Sequence, residues 1–220
     1  MKKRLCADIL TDMQNPVLIF DFDGTIADTF HAIVNISNRL ADEFQFNKLT
    51  PDAAEKMKDN TLKETIRQLN VPFLKIPVIV GRAKDELLKE IAQIEPVPGL
   101  TEILLKFKEL EIKMGILTSN SAQNVANFLK NHNLDLFAFV NTSSKIWSKN
   151  HNLQKMIESY DLKIDDVIYI GDEARDIDAA RKLGIRVAAV TWGYNSAKAL
   201  SAHKPDFLIT RPEELLSLLL

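Results

Sequence analysis

Apolar residues along this chain gather in short runs, each bounded by polar or turn-forming residues. Val17–Phe22, Lys113–Thr118, Phe137–Asn141, Asp166–Ile170, Arg186–Val190 and Asp206–Ile209 are rich in β-branched or aromatic side chains and read as strands. Between most of them the apolar spacing is helical. Leu100, Ile103, Leu104 and Phe107 share one face, as do Val125, Phe128 and Leu129, and Asp176–Leu183 reads as a helix closed by Gly184. Strands and helices alternate from residue 96 onward, which predicts an α/β fold with βαβ units around a parallel sheet and helices on both faces.

Residues 29–95 break that rhythm. Helix-like stretches cover about 29–45, 51–69 and 82–94, with no long strand among them. Val71-Pro72 and Ile76-Pro77 are expected to interrupt them, because proline lacks an N–H and restricts the residue before it. Pro96-Val97-Pro98-Gly99 reads as a linker. The expectation is a helical insertion over 29–95 placed directly after the first strand, with residues 1–28 and 96–220 forming the core.

The first strand runs into Asp21-Phe22-Asp23-Gly24-Thr25. Unpaired carboxylates at the end of an apolar strand cost about several kcal/mol, so they call for compensation, most simply a metal ion. Residues i and i+2 of a strand point the same way, so Asp21 and Asp23 can face one pocket, and Gly24 lets the backbone turn there. Asp23 or Thr25 could instead simply cap a following helix.

A second strand repeats the design. Asp166–Ile170 leads into Gly171-Asp172, followed by Asp176 and Asp178. In an open parallel sheet, ligands bind beyond the carboxyl ends of the strands, so the two acidic segments would meet. A set of Asp oxygens without His or Cys suits Mg²⁺ better than Zn²⁺. For Asp176 and Asp178 the alternative is a helix first turn, where acids favour the positive dipole end. Thr118-Ser119-Asn120-Ser121 offers hydroxyls and an amide at a third strand-to-helix turn, suited to holding an anion or to capping the helix.

Composition narrows the function classes. The 28 basic and 30 acidic residues nearly balance, at a formal net charge of −2, which argues against a nucleic-acid-coating protein. The single cysteine, Cys6, excludes an intramolecular disulfide and a Cys-rich zinc site. No apolar run approaches the roughly 18 residues a membrane span needs, and the basic start leads into Asp8 and Asp12 where a signal peptide needs an apolar core. A cytoplasmic protein is the expectation.

Taken together, these motifs resemble the haloacid dehalogenase-like hydrolase superfamily, and within it the phosphoglycolate phosphatase and β-phosphoglucomutase branch. The resemblance covers essentially the whole chain. It implies a Rossmann-like parallel-sheet core with a helical cap at 29–95, and a Mg²⁺-dependent phosphatase acting on a small phosphorylated metabolite, as monomer or homodimer. Asp21 matches the nucleophile that forms a phosphoaspartyl intermediate, and Asp23 the general acid/base. Ser119 and Asn120, with Gly24 and Thr25, match phosphate-binding positions. Asp172 matches a Mg²⁺ ligand beside the Asp21 carboxylate and the Asp23 carbonyl, and Asp176 the supporting acid of the fourth motif. The family's charge-neutralising lysine falls at Lys149, with Lys145 as the runner-up; both lack the proline-rich turn that often follows it. The same resemblance covers phosphomutases and non-catalytic relatives, whereas dehalogenases lack an acid at the position of Asp23.

Overall fold

The computed structural model describes residues 16–143 and 148–219. Its sheet is six-stranded, in the order β3-β2-β1-β4-β5-β6, with β1 Val17–Phe20, β2 Lys113–Thr118, β3 Phe139–Thr142, β4 Val167–Gly171, β5 Arg186–Val190 and β6 Phe207–Ile209. All pairings are parallel. The chain builds outward from β1 through β2 to β3, then crosses to the other side of β1 to add β4, β5 and β6. The strand order therefore reverses at β1, the position where an open α/β sheet leaves a crevice at its carboxyl edge.

Successive residues of the central strands pack into different layers, which is why the runs are continuously apolar and not alternating. Leu18, Phe20, Ile116, Ile168 and Ile170 join one buried cluster, while Val17, Ile19, Leu117, Val167 and Tyr169 join the other. Helices α5 (Leu100–Glu109) and α6 (Ala122–Asn131) supply Leu104, Phe107, Val125 and Phe128 to the first layer. Helices α7 (Lys149–Ser159), α8 (Ala174–Lys182) and α9 (Ala197–Ala202) supply Leu153, Met156, Ile177 and Leu200 to the second.

Between β1 and β2 lie α1 (Phe30–Phe44), α2 (Pro51–Met57), α3 (Leu62–Gln68) and α4 (Ile76–Glu90). Two details differ from the sequence expectation. The stretch at 51–69 is two helices, because Thr61 starts a new one: its hydroxyl accepts from the Glu64 N–H while Glu64 Oε2 accepts from the Thr61 N–H at 2.8 Å. Pro77 does not interrupt a helix but sits in the first turn of α4, where a missing N–H costs nothing. Strand ends also shift by up to two residues, with β1 closing at Phe20 and β3 opening at Phe139. The segments leaving and re-entering the sheet run side by side: Asp28 N donates to Glu95 O at 3.0 Å and Val97 N to Ile26 O at 2.9 Å. Among the described residues no helix is long and apolar enough to cross a membrane.

Phe22 is fully buried and meets Phe128 edge-to-face at 5.1 Å between ring centroids, holding the acidic turn against α6. Phe22→Ala is expected to cost about 3–5 kcal/mol in denaturant unfolding, and Thr61→Ala at its exposed cap about 1 kcal/mol. Equal losses for the two would show that the anchor is misjudged.

Candidate active site

The site is assembled at the carboxyl ends of β1, β2 and β4. Asp21 N still donates to Ile170 O at 2.8 Å, so the backbone stays in register one residue beyond β1 before it turns. The turn at 22–27 is closed by Gly24 N donating to Ala27 O and by the Ile26 and Ala27 N–H groups donating to Phe22 O. Gly24 has φ +76°, and a Cβ there would overlap Asp172 and the Tyr194 ring, so the position excludes any side chain.

Asp21, Asp172 and Asp176 are buried, and each places a carboxylate oxygen within 4.8 Å of the others. Lys149, the first residue of α7, pairs with Asp21 Oδ2 at 2.5 Å and also with Asp176. Lys145 lies outside the described residues. Asp172 is held from two sides, accepting from Thr25 Oγ1 and from the Tyr194 N–H, both at 2.7 Å. Asp176 does two things at once: its Oδ2 accepts from the Glu173 N–H at 3.0 Å as a helix cap, while its Oδ1 makes no aligned hydrogen bond and meets Lys149 by charge alone. Asp178 is exposed and pairs with His203, away from this cluster.

The electrostatics are unbalanced. Burial, then Glu173, Asp21 and Asp176, push the Asp172 carboxyl well above its ordinary pKa. Burial lifts Asp176 to about 6 despite Lys149, with Asp21 adding to the rise. Burial works against charge on Lys149, but Asp176 and Asp21 outweigh it and hold the ammonium protonated well beyond its usual range. Three buried carboxylates gathered within 4.8 Å and offering oxygen donors only fit a hard divalent cation.

Asp23 goes elsewhere. Its carboxylate accepts from Asn120 Nδ2 at 2.9 and 3.1 Å, so the two aspartates two residues apart take different partners. Burial, followed by the neighbouring Asp21, raises Asp23 to about 7, where it can give up or take a proton near neutrality. Gly24, Thr25 and Asn120 spend their polar groups inside the protein. Gly24 N bonds Ala27 O, Thr25 Oγ1 bonds Asp172, and Asn120 bonds Asp23 and the Ser121 N–H. Ser119 is half-buried, and its side chain has no hydrogen-bond partner among the described residues. Ser121 caps α6 by accepting from Asn124 N at 3.1 Å.

No sequence motif marks several further contributors. Trp192 Nε1 donates to Thr25 O at 3.2 Å, and Tyr194 OH lies 3.0 Å from Thr29 Oγ1, so this segment braces the Asp172 side of the site. Asn195 accepts from Ala174 N and donates to Lys58 O and Asn60 O, tying α8 to the loop after α2. Trp192-Gly193-Tyr194 stands out in the sequence only as an aromatic pair after β5, equally suited to packing; proximity in the fold reveals what it and Asn195 hold.

Residues 18–190 match the family model described as haloacid dehalogenase-like hydrolase. The chain belongs to this family. A phosphoglycolate phosphatase from Synechococcus elongatus is 31% identical over 200 residues, 90% of this chain and 94% of that protein. A pyrophosphatase PpaX from Bacillus cereus is 25% identical, covering 94% of this chain and 97% of its own length. A haloacid dehalogenase-like family hydrolase from Streptococcus pneumoniae superposes with a TM-score of 0.77 at 22% identity, over 92% of this chain and 97% of that one. The likeness extends through the helices between β1 and β2, not only the sheet.

If the carboxylate cluster holds a divalent cation, adding Mg²⁺ to metal-free protein should raise its melting temperature. At a hundred times Kd the gain is about 2.7 kcal/mol, or roughly 5–10 °C. Asp172→Asn should remove most of that rise. No shift with any divalent cation would exclude a metal site here.

Proposed function

We propose that the protein is a Mg²⁺-dependent phosphatase that hydrolyses a small phosphorylated metabolite, of the phosphoglycolate kind, through a phosphoaspartyl intermediate. The observation that carries this reading is Asp21, buried, clustered with Asp172 and Asp176, and paired with Lys149. The phosphatase names of the relatives support it.

Asp21, Asp172 and Asp176 would hold the cation. With the Asp23 side chain taken by Asn120, any share of Asp23 in that ligand set would come from its carbonyl. When bound, Mg²⁺ supplies positive charge that offsets the repulsion between a carboxylate and a phosphate dianion. In the first step an Asp21 oxygen forms a bond to phosphorus, while the bond from phosphorus to the ester oxygen breaks. That oxygen keeps the electron pair and takes a proton from Asp23. In the second step water adds to phosphorus and gives a proton to Asp23, and the bond to Asp21 breaks. Inorganic phosphate leaves and Asp23 has regained its proton. Lys149 offsets charge throughout, and Ser119, at the turn after β2 with its hydroxyl unspent among the described residues, would bond the transferring phosphoryl oxygens.

Residues 29–95 act as a cap domain over the core of 1–28 and 96–220, excluding water while the leaving group is in place. Between the cap helices lies a cavity of about 260 Å³, lined by Ile33, Leu40, Met57 and Ile79 and reaching Glu173 and Tyr194. It gives the cap room to select among leaving groups.

With Mg²⁺, the protein should release phosphate from an aryl phosphate. Asp21→Asn should lower the rate by at least about a thousandfold, since it removes the nucleophile. Wild type and Asn variant behaving alike would overturn the mechanism. Lys149→Met should also lower activity strongly, by about a hundredfold or more, while the variant keeps its circular dichroism spectrum.

A further inference from the structure

Asn124 lies on the first turn of α6, is fully buried, and is absent from the motifs that carry the chemistry. Its Nδ2 donates to two oxygens: Asn120 Oδ1 at 2.8 Å and the main-chain carbonyl of Lys84, on α4, at 3.1 Å. Asn120 in turn donates to both oxygens of Asp23. A continuous path of hydrogen bonds thus runs from the cap helix α4 through two asparagines to the carboxylate assigned as general acid.

The partners fix both amides. Asn120 must present Oδ1 to the Ser121 N–H, which can only donate, at 2.7 Å; the same oxygen accepts from Asn124, and Nδ2 is left facing Asp23. Asn124 must present Nδ2 as well, since flipping it would set an oxygen against two oxygens. In this orientation Asn124 Oδ1 is left buried with no hydrogen-bond partner. A fully buried amide that forgoes one hydrogen bond to satisfy a cap carbonyl and Asn120 is doing something packing alone does not require. Lys84 also brings its partly buried ammonium into the field of Asp23, so the same residue of α4 reaches the acid by charge.

We propose that Asn124 is a positioning residue that couples docking of α4 to the orientation of Asp23. This rests on the phosphatase reading and on Asp23 as the proton donor to the leaving group. With α4 seated, Asn124 holds Asn120 in the rotamer that aims Asp23. When α4 lifts away, the Nδ2 of Asn124 loses one of its two acceptors and Asn120 loses its brace.

Leaving-group dependence tests it. For a phosphoaspartyl mechanism kcat/KM reports steps up to formation of the intermediate, so it contains protonation of the leaving oxygen but not hydrolysis of the intermediate. An alkyl oxygen needs that proton, whereas 2,4-dinitrophenolate departs without it. Wild type and Asn124→Ala are compared on 2,4-dinitrophenyl phosphate and on the alkyl phosphate that the wild type cleaves fastest in a metabolite panel. The expected result is a fall in kcat/KM of about 10- to 100-fold for the alkyl ester and less than about threefold for the dinitrophenyl ester. Asn124→Asp, of the same shape but with an acceptor in place of the amide donor, should give the same pattern and covers the case in which the alanine variant fails to fold. Combining either change with Asn120→Ala should add little further loss on the alkyl ester. Equal losses on both esters, or none on either, would overturn the proposal. A wild type inactive on both would instead overturn the phosphatase reading, and this inference with it.

Discussion

The arrangement depends on concentrating negative charge where the protein is driest. Asp21 and Asp172 sit just beyond the ends of apolar strands and Asp176 in the first turn of α8, and Lys149 pairs with two of the three. Isolated, such carboxylates would be expensive to bury. The surrounding chain is shaped to keep them there. Thr25 and the Tyr194 N–H hold Asp172, the Glu173 N–H holds Asp176, and the Phe22 N–H holds Asp21. Gly24, Gly171 and Gly193 give way to the carboxylates, since a methyl at any of them would overlap Asp172 or Asp176. The cost of that concentration is what makes the place suited to a cation and to a phosphate.

A second constraint separates two neighbouring acids. Asp21 keeps the strand's register and turns toward Lys149, whereas the turn at 22–27 carries Asp23 toward Asn120. Phe22 between them is pinned on Phe128. One carboxylate is thus paired with an ammonium while the other, buried beside it, is raised to about 7. The proposed nucleophile and proton donor would need that division, and Phe22 anchors the turn that makes it.

Helices α1 to α4 meet the core through a shared apolar cluster, in which Ile36, Leu40, Leu87 and Ile91 join Phe22, Val125 and Phe128, and through a few polar contacts at its margin. Asn195 receives the loop after α2, Asn124 receives α4, and the two connecting segments pair with each other near Ala27 and Pro96.

Strands and core helices were legible in the sequence because burial on both faces leaves a plain chemical trace: short apolar runs spaced by amphipathic helices. Asp21 and Asp172 were legible because a carboxylate at the end of such a run has no bland explanation. Local competition hid other features. Thr61 resets a helix boundary through hydrogen bonds that span only three residues, and Pro77 fits a first helical turn that needs no N–H from it; apolar spacing cannot weigh either. What the tertiary structure alone decided is which distant groups share partners. Asp176 both caps its helix and faces Lys149, Asp23 is held by Asn120 while Asp21 meets Lys149, and Thr25 and Asn120 serve carboxylates within the protein. Asn195 ties the Asp172 side of the site to the loop after α2, and Asn124 ties Asn120 to Lys84 of α4, pairings that no spacing marks. Periodicity records how each segment meets solvent and core; hydrogen-bond pairing across more than a hundred residues is set only when the chain closes on itself.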